Sequence, residues 1–233
     1  MIKWLFLFSF FAFSFSNPSV ISLKAVEKVN LKFAEPSDVS YFNHQYFFAC
    51  DNGCLKITND SFKVTKTIKF EGADLEGVFA DGAHIYLSDE SGRQIITLNA
   101  SDFSVVSKVS VAYNGARNFG MESICTDGKG NFYSAAEKEP VLLMRWTGNF
   151  SVSDNRELAN YSDISGMTFH DGVLWILSDE DHSITKVNAT DYSVIDKWDI
   201  PVYNPEGICF NDKGQLVICS DRMSKLFIFN ITP

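Results

Sequence analysis

The stretch DLEGVFADGAHIYLSDESGRQIITLNASDFSVVSKVSV, residues 74–111, decides the fold. It holds four short apolar or alternating runs. They are Val78–Ala80, the run ending IYLSD at Asp89, QIITLN over 94–99 and VVSKVSV over 105–111. Asp81-Gly82 joins the first two, and Asp-Gly between apolar runs is a strong local hairpin signal. The stretch therefore reads as a four-stranded antiparallel meander.

The chain repeats this unit. The second-strand ends read FFACDNG (47–53), IYLSDESG (85–92), FYSAAEKE (132–139), WILSDED (175–181) and VICSDRM (217–223). Aligned on these, an acid recurs at Asp51, Asp89, Glu137, Asp179 and Asp221, in steps of 38, 48, 42 and 42 residues. Strand-like repeats of that period are the mark of propeller blades. First strands fall at 39–42, 78–80, 123–126, 167–169 and 208–210. Third strands fall at 54–59, 94–99, 141–146, 183–188 and 225–230. Fourth strands fall at 64–70, 105–111 and 194–200, with the one of the third repeat placed near 157–160. The fifth repeat ends at Pro233 without a fourth strand, and the alternating AVEKVNLK of 25–32 can supply it. The reading is an all-β, five-bladed β-propeller, closed by an N-terminal strand that completes the last blade and leaves no open edge in the ring.

Five Asn-x-Ser/Thr sequons, at Asn59, Asn99, Asn149, Asn188 and Asn230, fall at third-strand ends, and Asn160 begins a sixth. Asn and Ser/Thr bond their own backbone in turns, so a reused turn explains this periodicity without any sugar.

Residues 1–16, MIKWLFLFSFFAFSFS, carry Lys3, an apolar run from Trp4 to Phe15, and Ser14 and Ser16 at the −3 and −1 positions of a cleavage before Asn17. That is a secretory signal pattern, with an uncleaved anchor as the alternative. One domain follows over 20–233, and the expected location is periplasmic or secreted. Membrane contact is limited to the N-terminal segment. Formal net charge is −9, from 29 acidic and 20 basic residues. This argues against a nucleic-acid partner, which requires a basic footprint. The five cysteines cannot all pair within one chain. Cys50 and Cys54 flank a turn and are placed for a cross-turn disulfide in an oxidising compartment. Cys125 and Cys209, in apolar strands, read as buried thiols.

In a propeller the start of the first strand and the end of the second lie on one face of the disc. Glu76, Glu122 and Glu206 open three of the first strands at the axial mouth, with Asp74 and Asp163 beside them. Asp89, Glu137, Asp179 and Asp221 sit further out on the same face, and His182 is the histidine that can reach it. Arg117, Lys138 and Arg222 fall on loops of this face. Converging carboxylates repel unless a cation or protons neutralise them. All-oxygen ligands suit Ca²⁺ better than Zn²⁺. For the second-strand acids a second reading stays open, in which they cap their own turns. No nucleophile elbow, HExxH or P-loop is present.

The stretches ADLEGVFADG (73–82), MESICTDGKGNFYSAAE (121–137), DISGMTFHDGVLWILSDED (163–181) and NPEGICFNDKGQLVICSDRMSKLFIF (204–229) resemble the SdiA-regulated family of bacterial extracytoplasmic proteins. The resemblance implies a five-bladed propeller distantly related to NHL-repeat proteins, with a calcium site. Calcium carries over to Glu76, Glu122 and Glu206. Ser37 and Ser165 stand at the corresponding places of the first and fourth repeats, where this chain departs from the acidic pattern. The expected function is a calcium-binding propeller that takes an unknown small molecule or protein on its acidic face. The alternative is a Ca²⁺-dependent hydrolase of lactones, esters or phosphoesters, with Asp89, Asp179 or His182 as base.

Overall fold

The structure, a computed structural model, describes residues 21–112, 120–150 and 152–231. The signal-like segment 1–16 and Arg117 lie outside the described residues. Among the described residues two strands precede the first blade, β1 (Ile21–Ser22) and β2 (Ala25–Asn30). Blade 1 holds β3 (Pro36–Phe42), β4 (Gln45–Cys50), β5 (Cys54–Asn59) and β6 (Val64–Lys69). Blade 2 holds β7 (Leu75–Ala80), β8 (His84–Asp89), β9 (Gln94–Asn99) and β10 (Val105–Ser110). Blade 3 holds β11 (Cys125–Thr126), β12 (Asn131–Ala136), β13 (Leu142–Thr147) and β14 (Val152–Glu157). Blade 4 holds β15 (Gly166–His170), β16 (Val173–Ser178), β17 (Ser183–Val187) and β18 (Val194–Asp199). Blade 5 holds β19 (Pro205–Phe210), β20 (Leu216–Ser220) and β21 (Lys225–Phe229), and β2 is its fourth strand, antiparallel to β21. The five-bladed arrangement and its closure by the N-terminal strand are thus present.

Hydrophobic clusters explain why the blades associate. One joins blades 1 and 2 through residues such as Leu55, Ile57, Leu75 and Leu87. Four others join blades 2 and 3, 3 and 4, 4 and 5, and 5 and 1. Each middle strand sends alternate side chains into two neighbouring clusters. It is therefore buried on both faces and reads as a continuous apolar run, as in Leu216–Ser220. Hydrogen bonds stitch the inner strands together. Asp38 accepts from the Val39 and Val78 amides, each at 2.8 Å, and Ser40 Oγ accepts from the Ala80 amide at 3.2 Å. Ser88 Oγ donates to the Met121 carbonyl at 2.9 Å, and Ser165 Oγ to the Pro205 carbonyl at 2.7 Å.

Three local expectations change. The fourth strand of blade 3 is Val152–Glu157, not a segment near 157–160, because the ladder to β13 pairs Leu142 with Glu157 and runs back from there. The inner strands of blades 1, 2 and 5 begin about three residues earlier than their apolar runs, since a bulge carries the pairing on to Pro36, Leu75 and Pro205. Blade 4 also gains a fifth strand, as β1 pairs in parallel with β18 and the Leu23 amide donates to the Asp199 carbonyl at 2.9 Å. Leu23 and Ala25 then pack into the cluster between blades 4 and 5.

The reused turn is local chemistry. Asn59 Oδ1 accepts from the Ser61 and Lys63 amides, both at 3.1 Å. Asn99 and Asn188 do the same for Ser101 and Thr190 at 2.8 Å. All five cysteines are free thiols; Cys50 and Cys54 face each other across the β4–β5 hairpin without a bond. Burial raises the Cys125, Cys209 and Cys219 thiols well above their usual range, which keeps them protonated and inert.

Candidate functional site: an acidic axial mouth

The β-bulges aim the site. In β7 the ladder passes from Leu75–Asp89 to Gly77–Ser88, leaving Glu76 as the extra residue. Glu206 stands out of β19 in the same way, and Ser37 out of β3. An unpaired bulge residue can turn its side chain away from the sheet. Here the three turn toward the axis, where they line one cavity of about 210 Å³ with Glu122, Asp51, Glu90, Glu137 and Asp221.

The residue after the Glu76 and Glu206 bulges must be small, because the inner strands nearly touch there. A Cβ built on Gly77 would lie 2.3 Å from Ser88 Oγ and 2.8 Å from the Ser123 backbone. One on Gly207 would lie 2.5 Å from Asp38 Cα, and one on Gly166 would lie 2.4 Å from the Glu206 carbonyl oxygen. The Glu-Gly pairs of blades 2 and 5 thus combine a carboxylate for the mouth with a close approach behind it.

Electrostatics at the mouth is unfavourable to ionisation. Burial, then the charges of Asp51 and Asp74, hold Glu76 well above the usual carboxylate range. Burial does the same to Glu122, reinforced by Glu76, Glu137, Glu90 and Glu206. Burial, with Asp179 and Asp221, pushes Glu206 to about 8. Carboxylate oxygens of Asp74, Glu76 and Glu90 lie within 4.8 Å of one another, and Glu90 Oε1 also accepts from the Gly120 amide at 2.7 Å. Lys138 partly offsets the charge from the rim, at 2.8 Å from Glu137 and 3.1 Å from Glu180.

Of the residues singled out in the sequence, Glu76, Glu122, Glu206, Glu137 and Asp221 line the cavity, and Asp74 adjoins it through Glu76. Asp89 does not face it. Its Oδ1 accepts from the Asp74 and Gly92 amides at 3.1 and 3.2 Å, and its Oδ2 from Gln94 Nε2 at 2.7 Å. The ladders show why. Asp89 closes β8 opposite Leu75 and Gln94, so it matches Cys50, Ala136 and Ser220. Glu90 is the true counterpart of Asp51, Glu137, Asp179 and Asp221. The shared Ser-Asp letters of LSDESG and LSDED conceal this one-residue offset.

Asp163 is another turn cap, buried and accepting from Ser178 Oγ and from the Asp179 and Glu180 amides at 3.1 Å. Asp179 is half-buried and outside the cavity lining, where it acts on Glu206 by its charge. His182 is exposed in the β16–β17 turn, with φ of 46°. Neither Asp89 nor His182 is among the residues that line the cavity. Ser37 belongs to the lining and donates to Asp51, whereas Ser165 is committed to the Pro205 carbonyl.

The fold has solved counterparts. A glutaminyl cyclase from Myxococcus xanthus superposes with a TM-score of 0.75 at 12% identity, covering 90% of this chain and 96% of that one. Streptogramin B lyase gives 0.57 at 15% identity over 85% of this chain and 66% of that one. The WD40 propeller domain of Doa1 gives 0.56 at 11% identity over 83% and 63%. At these identities the likeness is one of fold. No curated protein matches the sequence. The model of the SdiA-regulated family matches residues 34–220, from the first blade to the end of β20, and the chain belongs to that family.

Proposed function

We propose that this protein is an extracytoplasmic propeller that holds a divalent cation, Ca²⁺, in its axial mouth and binds a small molecule or protein partner on that face. The observation that carries the reading is the convergence of Glu76, Glu122 and Glu206 with Glu90, Glu137, Asp51 and Asp221 on one cavity of about 210 Å³. Buried like charges are unfavourable, and a hard cation that accepts six to eight oxygens relieves them without any change of fold. The extracytoplasmic location rests on the signal-like residues 1–16. Calorimetric titration of chelator-treated protein with CaCl₂ tests the cation. Saturable heat and a higher melting temperature are expected, with both weakened at least tenfold in affinity by Glu122→Gln, a loss of about 1.4 kcal/mol or more. Absence of heat and of thermal stabilisation in the unaltered protein would defeat the reading.

One observation favours a catalytic variant of the same site. Burial, with the charges of Asp179 and Asp221, pushes Glu206 to about 8 when no cation is bound, so it keeps a proton near neutral pH, as a general acid must. The neighbours named glutaminyl cyclase and streptogramin B lyase indicate that the architecture accommodates catalysis. In this variant Glu76 and Glu122 would hold the cation, which would polarise the carbonyl or phosphoryl group of a lactone, ester or phosphoester; water adds to that group as its bond to the leaving oxygen breaks, and Glu206, left off the ion, gives the leaving oxygen its proton. Turnover of such substrates that requires Ca²⁺ and is lost in Glu206→Gln supports it. Equal rates with and without protein across the three substrate classes leave the binding reading alone.

A further inference from the structure

The innermost strand of each blade ends its sheet, and one carboxylate is buried against these axial edges. Asp38, in β3, is 1% exposed. Its Oδ1 accepts from the Val39 amide and its Oδ2 from the Val78 amide, each at 2.8 Å, and the Ile208 amide donates to it as well. One side chain of blade 1 thus bonds the inner strands of blades 1, 2 and 5. The ladders place Asp38 level with Gly77, Ser123, Gly166 and Gly207. On one side of this layer Ser37, Glu76, Glu122 and Glu206 line the mouth. On the other, Val39, Val78, Ile124, Met167 and Ile208 line a cavity of about 100 Å³. Blade 5 leaves room for the carboxylate, since a Cβ built on Gly207 would lie 2.7 Å from Asp38 Oδ1.

The spacing of these bonds connects them to the mouth. Each amide that Asp38 receives lies two residues past a bulge residue: Val39 after Ser37, Val78 after Glu76, Ile208 after Glu206. A bulge residue is left out of the ladder, so pairing within the blade does not by itself fix where its side chain points. Glu122 differs, because its own amide donates to the Ala135 carbonyl at 3.0 Å. Glu76 and Glu206 therefore depend on Asp38 for the axial side of their strands. A carboxylate brings two acceptor oxygens to the three donors. Asparagine brings one, and turns an NH₂ group toward a donor.

We propose that Asp38 is a positioning residue of the axial mouth, fixing through the backbone where Glu76 and Glu206 present their carboxylates to a cation. This role rests on the cation reading above. In the test, chelator-treated protein and its Asp38→Asn and Ser40→Ala variants are titrated with CaCl₂ and, separately, with TbCl₃. Ser40→Ala removes another inner-strand bond, that of the Ala80 amide, outside the mouth. Both substitutions should lower the melting temperature, but only Asp38→Asn should weaken Ca²⁺ binding, about tenfold, the loss of one well-placed ligand. Tb³⁺ luminescence decay, compared in H₂O and D₂O, should show additional water on the ion in Asp38→Asn alone, because water fills the position that a misplaced glutamate leaves. Amide hydrogen exchange of the unaltered protein needs no variant. Coupling between a site and the bonds that shape it is reciprocal, so Ca²⁺ should slow Val78 and Ile208 about tenfold more than Ala80. Absence of Ca²⁺ uptake by the unaltered protein defeats the cation reading, and this role with it. Uptake that is equally tight and equally hydrated in both variants, or equal slowing of the three amides, overturns the role of Asp38 alone.

Discussion

Glu206 and Asp89 show how two acids on one face come to opposite ends. Asp89 is 3% exposed and its oxygens accept from the Gly92 amide and the Gln94 side chain of its own turn and from the Asp74 amide before β7, so it ties β8 to both neighbours. Glu206 stands on a bulge, and its burial, then the charges of Asp179 and Asp221, push its carboxyl from 4.5 to about 8. Folded protein therefore keeps a proton that the unfolded chain releases between pH 4.5 and about 8. Stability in metal-free buffer is full below that window and falls as pH rises through it; Glu76 and Glu122 act in the same direction. Melting temperature measured in EDTA should decline from pH 5 to 8, and excess CaCl₂ should flatten the decline. A melting temperature that climbs over this range in EDTA is the contrary result. The carboxyl types were legible as letters, but their roles were not. An acid that caps its turn and an acid that faces a cavity look alike until the ladder fixes which way each points.

At the level of the strand, blades 2 and 5 share one device, a bulge followed by a glycine. The bulge gives Glu76 and Glu206 their orientation, and Gly77 and Gly207 let neighbouring inner strands approach. Gly77→Ala should force the Ser88 side chain and the Ser123 backbone apart and destabilise the fold by about 3 kcal/mol, the upper range for overpacking. Denaturant unfolding reads this directly, and a loss below about 0.5 kcal/mol would mean that the strands give way more easily than their spacing indicates. Strand identity was readable from alternation and Asp-Gly turns. Strand ends were less so, because the inner strands continue through Ser37, Glu76 and Glu206, polar residues that a hydrophobic pattern treats as loop. The fourth strand of blade 3 was displaced for a related reason. Its sequence VSDNRE alternates weakly, and its position follows from pairing with β13.

At the scale of the molecule, closure is the weak point of a ring. Blade 5 depends on β2, a segment almost the whole chain away in sequence, whose pairing covers the edge of β21. Removal of residues 1–31 should expose that edge and the Leu226–Phe229 run, which is otherwise buried. The expected outcome is a lower and broader thermal transition with aggregation, seen by light scattering; a monomer with unaltered melting would contradict the closure argument. What the sequence determined by itself was the architecture: a strand-rich repeat, five copies, and a spare N-terminal strand. These are legible because side chains alternate along a strand and turns draw on few residue types. Tertiary structure alone decided the offset that replaces Asp89 by Glu90 and the fifth strand on blade 4. It also decided which carboxylates share the axial mouth. The offset and the shared mouth depend on where a side chain points after one added or omitted residue, and a step of one reverses the face of every residue that follows it in a sheet; the fifth strand depends on a distant segment reaching the edge of β18.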